Sequence, residues 1–369
     1  MKSNAAKSLP VVMYHYVNDS PGSITVSPAC FQEHCRAMAK AGWRGVGLAE
    51  AEAFLIHGEP LPEKSTLITF DDGFLDNGLN ALPALHAYGH KAVMFAVSGR
   101  LEQGDAPRVP MADLLAGTAQ PLPEASRPVR KNERGFTVRR DVFCNHAEVR
   151  AMEASGVMAV ASHSRGHLGV FAGPEFTSFA APGNQGRTFY LTEHGHFWGL
   201  PNFKVVPGLR DRAFLPNPEL LERIRRLVPQ EYDAALEFFA SEDSVKALKA
   251  LAAGFAGDMG RFETDTERRD RMWREIAGGK ADLEAILGHG LKTFCWPWGK
   301  YGPEAHALAL EAGFSLLFTT AEGPNPPAEP LAVGRFKGKS KSGAWLVSRL
   351  RAYSRPLLGK FYARLRNLF

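Results

Sequence analysis

The chain alternates short apolar runs with stretches whose apolar residues return every three or four positions. Runs rich in β-branched and aromatic residues lie at LPVVMYH (9–15), WRGVGL (43–48), STLITF (65–70), KAVMFAV (91–97), VMAVAS (157–162), LKTFCW (291–296), FSLLFTT (314–320) and LAVGRF (331–336). Between them PACFQEHCRAMAKAG, NALPALHAYG, KADLEAILG and PEAHALALEAG carry the helical period, and each closes on the glycine that often ends a helix. Strand, helix, glycine and strand in this order predict a parallel sheet with right-handed crossovers. With about eight such strands, a barrel is the economical expectation.

Two regions break the rhythm. Residues 101–145 are rich in Pro and Arg and read as an irregular loop. Residues 168–270 hold Gly/Pro turns followed by two helical patterns, PELLERIRRLV and DAALEFFASEDSVKALKALAAGF. So long a departure inside a compact domain predicts a helical insertion or lid over the barrel's top.

Composition narrows the class. The 369 residues are 45% hydrophobic and 22% charged, which suits a globular protein of one large or two modest domains. No apolar run approaches the roughly 20 residues that cross a bilayer, and no apolar segment precedes the first strand as a secretory signal would, so a cytoplasmic location is expected. Four scattered cysteines without CxxC spacing predict reduced thiols. The net charge of +5 is unevenly placed. From Leu331 onward there are ten Lys and Arg and no acid, leaving 34 cations against 39 acids elsewhere. The basicity belongs to the end of the chain, so no nucleic-acid surface is implied for the whole.

In a parallel barrel, chemistry collects where strands end. His15 follows VVMY, Asp71 and Asp72 follow LITF, His163 follows VMAVAS, and Trp298 stands just past LKTFCW. His163 and His167 have the four-residue spacing of one helical turn. Two neutral imidazoles and a carboxylate make a three-ligand set for a dication, which leaves a coordination position open. Gly73 would free the backbone so that Asp71 and Asp72 need not face opposite ways; one could ligate and the other accept a proton, and spacing alone does not say which.

TFDDG, then SHSRGH, then FCWPWGKY, in that order, resemble the polysaccharide deacetylase family (carbohydrate esterase family 4, the NodB-homology domain), and FCWPWGKY is most similar to its YP-x-G-loop subgroup. VVMYHYV resembles the family's opening strand, and the stretch from MWREIAGGKADLEAILG to FSLLFTT resembles its second half. The resemblance runs from about Leu9 to Phe336 and is interrupted at 168–270. It implies an α/β fold, a distorted (β/α) barrel of about seven parallel strands with a helical insertion. Domain limits follow: 1–336 for the barrel, interrupted by 168–270, then 337–369 as a basic amphipathic segment. It further implies a metal-dependent N-deacetylase with Asp71 as general base, Asp72, His163 and His167 as metal ligands, and Pro297, Trp298 and Gly299 walling the acetate pocket. Zinc is the expected metal, with cobalt or nickel able to substitute.

The pattern is not complete. Many members carry an Arg tied to the base just before the Pro loop, and a late Leu-x-His that supplies an acid. Here Cys295 or Trp296 occupies the Arg region and no histidine follows His306. The acid is therefore open, with His15 expected to meet substrate or water. His194 and His196 could descend from the insertion. Trp296, Trp298 and Tyr301 would gather aromatic area around the site for a sugar face, and Arg165 could meet a phosphate.

Residues 342–369 mix apolar and cationic positions in an interfacial pattern. Expected partners are thus an N-acetylated glycan or lipid-linked sugar and, peripherally, an anionic membrane at its inner face. Two other readings compete: a catalytically inert glycan-binding member of the fold, and a hydrolase of a non-sugar linear or cyclic amide.

Overall fold

The computed structural model describes residues 5–119, 122, 142–183 and 197–366. His194 and His196 lie outside the described residues. In chain order the strands are β1 (Val11–Tyr14), β2 (Tyr16–Val17), β3 (Thr25–Val26), β4 (Arg44–Gly45), β5 (Ser65–Asp72), β6 (Ala92–Ala96) and β7 (Met158–Ser162). There follow β8 (Gly169–Phe179), β9 (Pro201–Pro207), β10 (Phe214–Pro216), β11 (Gly260–Phe262), β12 (Thr293–Cys295), β13 (Leu316–Phe318) and β14 (Phe336–Lys337). Each of the eight apolar runs contains one strand of the main sheet.

That sheet is parallel throughout, in the order β13-β12-β7-β6-β5-β1-β14, with β4 joined to the start of β5. A parallel bridge between Phe318 and Val333 links its two extremes, so the sheet curls into the expected distorted barrel.

Period-two alternation sorts the strand residues into two apolar clusters. Val11, Leu67, Val93, Phe95, Ala161, Cys295, Leu316, Phe318 and Val333 form one. Val12, Ile68, Phe70, Met94, Val160, Phe294, Leu317 and Phe336 form the other, together with helix residues such as Phe31, Met38, Leu283 and Leu308. The first set is the barrel interior and the second packs under the helices. Thr69, Asp71, Thr320, Arg335 and Lys337 share the parity of the interior set, and they climb towards the strands' C-terminal ends.

Two expectations about segments change. The insertion has helices at Pro218–Leu227, Tyr232–Ala240 and Glu242–Ala253, but it also holds an antiparallel sheet in the order β11-β10-β8-β9. That sheet hides from sequence because β8 pairs with β9 through register shifts and both strands contain proline. The basic C-terminal segment, expected to be interfacial along its length with a break near Pro356, forms two helices on either side of that break with different surroundings. The helix Gly343–Tyr353 lies on the barrel, with Leu346, Val347, Leu350 and Tyr353 buried. Of these two helices, Pro356–Arg366 is the one that presents large apolar side chains to solvent, at Leu357, Leu358 and Phe361. Among the described residues no helix is long and apolar enough to cross a membrane, and all four cysteines are free.

A buried helix and an exposed one should answer differently to truncation. Leu350→Ala should cost about 2–5 kcal/mol in denaturant unfolding, whereas Leu357→Ser should stay within about 0.5 kcal/mol.

Candidate metal and catalytic site

The acidic pair is oriented by an unusual backbone. Asp71 ends the interior face of β5 and is 2% exposed. Its neighbour should point the other way, but Asp72 has φ of 78°, which swings its carboxylate to the same side. The turn therefore starts at Asp72 itself and continues through Gly73, also at positive φ. A non-glycine residue in this region is strained, and such strain persists only where the surroundings hold it.

The two histidines are not on a helical turn, contrary to the spacing argument. They flank a loop, His163-Ser164-Arg165-Gly166-His167, in which Ser164 and His167 both have positive φ. Glu275 pins that loop: one of its carboxylate oxygens accepts from Ser164 Oγ and from Gly166 N, each at 3.0 Å. The backbone carbonyl of Glu275 accepts from Arg165 N, and Ser164 Oγ in turn accepts from His167 N. Glu275 lies in a one-turn π-helical segment, Arg274–Gly278. Its signal in sequence was the REIAGGKADLE stretch, which alone did not assign it a task.

These constraints bring three ligand-type atoms together. Asp72 Oδ1 is 3.8 Å from His163 Nε2 and 3.7 Å from His167 Nε2. Those spacings are too long for hydrogen bonds yet suit donors that share one small cation. Asp72 Oδ1 is buried without a hydrogen-bond partner, an arrangement that costs free energy unless something fills the gap. His163 Nδ1 lies 2.8 Å from the carbonyl of Cys295; a carbonyl only accepts, so the proton sits on Nδ1 and the Nε2 lone pair faces Asp72. Burial lowers the pKa of both histidines, His167 further than His163, which keeps the rings neutral and able to ligate. A second cluster, Asp71, His163 and Cys295, suits a metal less well. Burial pushes the Cys295 thiol well up, and Asp71 is already engaged.

Its partner is the residue that the sequence did not reveal. Arg335, counted above among the terminal cations, is fully buried and grips Asp71 in a fork, Nη1–Oδ1 2.6 Å and Nη2–Oδ2 2.8 Å. Burial alone would raise the Asp71 carboxyl; the attraction of Arg335, then of His163 and His15, outweighs this and holds it well below the usual carboxylate range. The Arg missing before the Pro loop is thus matched in place by one from the run into β14. Interior parity in LAVGRFK was the available clue.

The remaining expected residues divide. His15 stands at the end of β1, with Nε2 3.9 Å from Asp71 Oδ2. Its backbone is fixed by the Asp76-Asn77 pair that closes FDDGFLDN: Asn77 donates to the His15 carbonyl, and Asp76 accepts from Val17 N and Asn18. Trp298, itself at positive φ, packs edge-on to His167 with ring centres 4.4 Å apart. Pro297 and Gly299 frame it, and Gly299 lies so close to Thr320 that a Cβ would collide. Two expectations differ. Tyr301 stacks on the fully buried Trp296 and on His306, so that aromatic pair belongs to the packing beneath the loop. Arg165 turns outward to Asp282 at 3.1 Å, because the Glu275 clamp directs residue 165 away from the ring pair.

Removing one partner of a buried ion pair leaves an uncompensated charge. Arg335→Met should therefore destabilise the fold by about 3–5 kcal/mol at pH 7, and adding Asp71→Leu should recover most of the loss. Since the folded Asp71 carboxyl sits below its unfolded value, this stabilisation is present above about pH 4 and fades as pH falls further. Urea titrations of the single and double variants at neutral and acid pH read both effects.

Comparison with known proteins gives a consistent picture. Residues 58–188 match the family model for polysaccharide deacetylase. The putative polysaccharide deacetylase YxkH of Bacillus subtilis is 35% identical over 97 residues, 26% of this chain and 34% of that protein. The poly-β-1,6-N-acetyl-D-glucosamine N-deacetylase of Escherichia coli is 24% identical over 221 residues, 59% of this chain and 28% of that protein. The chain thus spans about a third or less of the curated relatives' length. Among solved structures, a de-N-acetylase from Aggregatibacter actinomycetemcomitans aligns with a TM-score of 0.58 at 19% identity, covering 93% of this chain and 99% of that one. IcaB from Ammonifex degensii aligns at 0.55 and 19%, covering 94% and 99%. At such identities the likeness to solved structures establishes the fold, and the match to the polysaccharide deacetylase family model is carried by residues 58–188.

Proposed function

We propose that the protein is a metal-dependent hydrolase that removes the N-acetyl group from an acetamido sugar. The observation that carries this is the buried, unpartnered Asp72 Oδ1 facing two imidazole nitrogens, beside a carboxylate held ionised by Arg335. The donor set of one carboxylate and two neutral imidazoles fits a divalent ion, zinc first and cobalt or nickel as substitutes. Bound there, such an ion would supply Lewis-acid polarisation of the amide carbonyl and of a nucleophilic water.

The protein's own groups would handle the protons. Asp71, anionic and immobilised, accepts the proton that water loses as it attacks the acetamide carbon. The amine then needs a proton as the C–N bond breaks, and His15 is the described titratable side chain that faces Asp71 without a partner on its Nδ1. Acetate and a free amino sugar are the products. Trp298, braced on His167, offers an apolar wall for the acetyl methyl. The inert-module reading rested on the missing Arg and the missing late His, and Arg335 answers the first of these.

The finer substrate reading, a membrane-associated or lipid-linked glycan, draws support from the helix Pro356–Arg366. Leu357 is 87% and Phe361 62% exposed, flanked by exposed Arg355, Lys360 and Arg364. Residues 354–357 share a surface cavity with Ala5 and Lys7, just ahead of β1, at the end of the barrel opposite the catalytic groups. A bilayer docked there would anchor the enzyme and leave its mouth facing away, which suits glycans that extend outward from the surface.

Two experiments test these readings. Acetate release from N-acetylglucosamine oligomers should be abolished by a chelator, restored by zinc, and lowered about 10²–10⁴-fold by Asp71→Asn. Stoichiometric metal without any acetate release would support a binding module instead. For the membrane step, Leu357→Ser/Phe361→Ser should shift the protein from pelleting with anionic vesicles to the supernatant; equal partition of both proteins removes that step. Unlike a deletion of 342–369, this double substitution leaves the buried helix Gly343–Tyr353 on the barrel.

A further inference from the structure

Beside the catalytic groups, the barrel mouth opens into a cavity of roughly 630 Å³. Its lining includes Thr25, Thr320, Glu322, Arg335, Lys337 and Lys339. Lys337 pairs with Met13 and follows Arg335 by two positions, so it shares the interior face one step above the guanidinium that grips Asp71. On the other side, Thr320 Oγ1 donates to the Trp298 carbonyl, which makes the cavity's wall the back of the Trp loop. The cavity thus adjoins the acetamide site through two separate residues.

Its electrostatics are unbalanced. Neither the Lys337 nor the Lys339 ammonium has a hydrogen-bond or carboxylate partner among the described residues. Glu322, the lining carboxylate, already accepts from the Tyr353 hydroxyl at 2.6 Å. Burial, then the neighbouring Lys339, lowers the pKa of Lys337, the signature of a cation without an anion. Surface lysines normally stand free in water; here the half-buried Lys337 lines a concave wall that also carries the hydroxyl-bearing Ser23 and Ser340.

We propose that this cavity is a subsite for a phosphoryl group carried by the acetamido substrate, so that the preferred glycan is phosphorylated close to the sugar that loses its acetyl group. The idea rests on the deacetylase reading for the acetamido end only. A phosphate is favoured over a carboxylate because carboxylates are best recognised by a guanidinium fork, and both arms of Arg335 are spent on Asp71. Lysines bind phosphate as point charges and need no fork. The volume exceeds that of one phosphate and leaves room for a diphosphate or for the sugar bearing it.

The test has two arms. In the first, the wild-type protein is treated with an amine-reactive reagent, with inorganic phosphate, inorganic pyrophosphate or neither present, and labelling at each lysine is read by mass spectrometry. Pyrophosphate should slow labelling of Lys337 and Lys339 by about fivefold relative to the exposed Lys246; uniform labelling overturns the subsite. In the second, acetate release is compared for an N-acetylglucosamine oligomer and its phosphorylated counterpart. The ratio of their kcat/KM values should be about ten or more and collapse towards one in Lys337→Gln/Lys339→Gln. A ratio of one in the wild type, or a ratio that survives the substitutions, sinks the proposal, as does equal preference for a carboxylated oligomer. No acetate from any oligomer, together with selective protection of the two lysines, would defeat the deacetylase reading and leave the phosphate site standing.

Discussion

A carboxylate as deeply enclosed as that of Asp71 can remain ionised only if a cation is enclosed with it. Arg335 meets that requirement with two parallel hydrogen bonds, and the rest of the site depends on their pairing. The pair fixes the first acid, which leaves the second free to turn. Because Asp71 is satisfied within the protein, Asp72 is the carboxylate left without a partner, and the two histidines approach that one. The proposal of Asp72 as ligand and Asp71 as base, open from spacing alone, draws on this difference: the forked acid is immobile and its negative charge is compensated within the protein, while the orphaned oxygen faces two imidazoles without a partner.

The pairing also explains the demands placed on the backbone. Strand alternation would separate adjacent side chains, so bringing both carboxylates to one face takes a left-handed residue, and Asp72 supplies it at φ 78°. Ser164, His167 and Trp298 are left-handed too, and all lie within the same constellation. Such residues cost free energy individually. They are held by partners drawn from distant segments: Glu275 for the histidine loop, Thr320 for the tryptophan loop, and Asp76 with Asn77 for the turn carrying His15. Strain here is local and its restraints are remote, which is how a barrel top can vary its loops while the sheet beneath stays regular.

Much of this was legible in the sequence. All eight strand runs were readable because strands buried on both faces leave short apolar runs, and their ends located Asp71, Asp72, His163 and His15 without any coordinates. What escaped has a common physical cause. Arg335 was hidden because charge counting treats every arginine near a basic terminus as solvated, whereas its interior parity in LAVGRFK made it a core residue. The histidine loop was misjudged because four-residue spacing is shared by helical turns and by tight loops with left-handed residues, and only a remote restraint such as Glu275 decides between them. The antiparallel sheet of the insertion was obscured by prolines and register shifts that erase the period-two signal. Tyr301 and Trp296 were counted with the site because aromatic clustering in sequence says nothing about which face of a loop is covered.

The same parity argument reaches beyond the residues already engaged. Interior positions of a parallel barrel are filled with apolar side chains in the lower layers, as Val11, Leu67, Val93 and Phe318 are here. Charges are admitted only near the top, and each is there on terms set by its neighbours. Asp71 has Arg335, while Asp72 Oδ1 faces two neutral imidazoles and has no hydrogen-bond partner. Lys337 occupies the next interior step above Arg335, and among the described residues its ammonium has no carboxylate within ion-pair distance. By the reasoning that proposes Asp72 Oδ1 as a ligand atom, an ammonium left unmatched in that layer supports the proposal of an anion that arrives with the substrate. An electrostatic account of the mouth is therefore incomplete until both unmatched charges, one negative and one positive, have been given their partners.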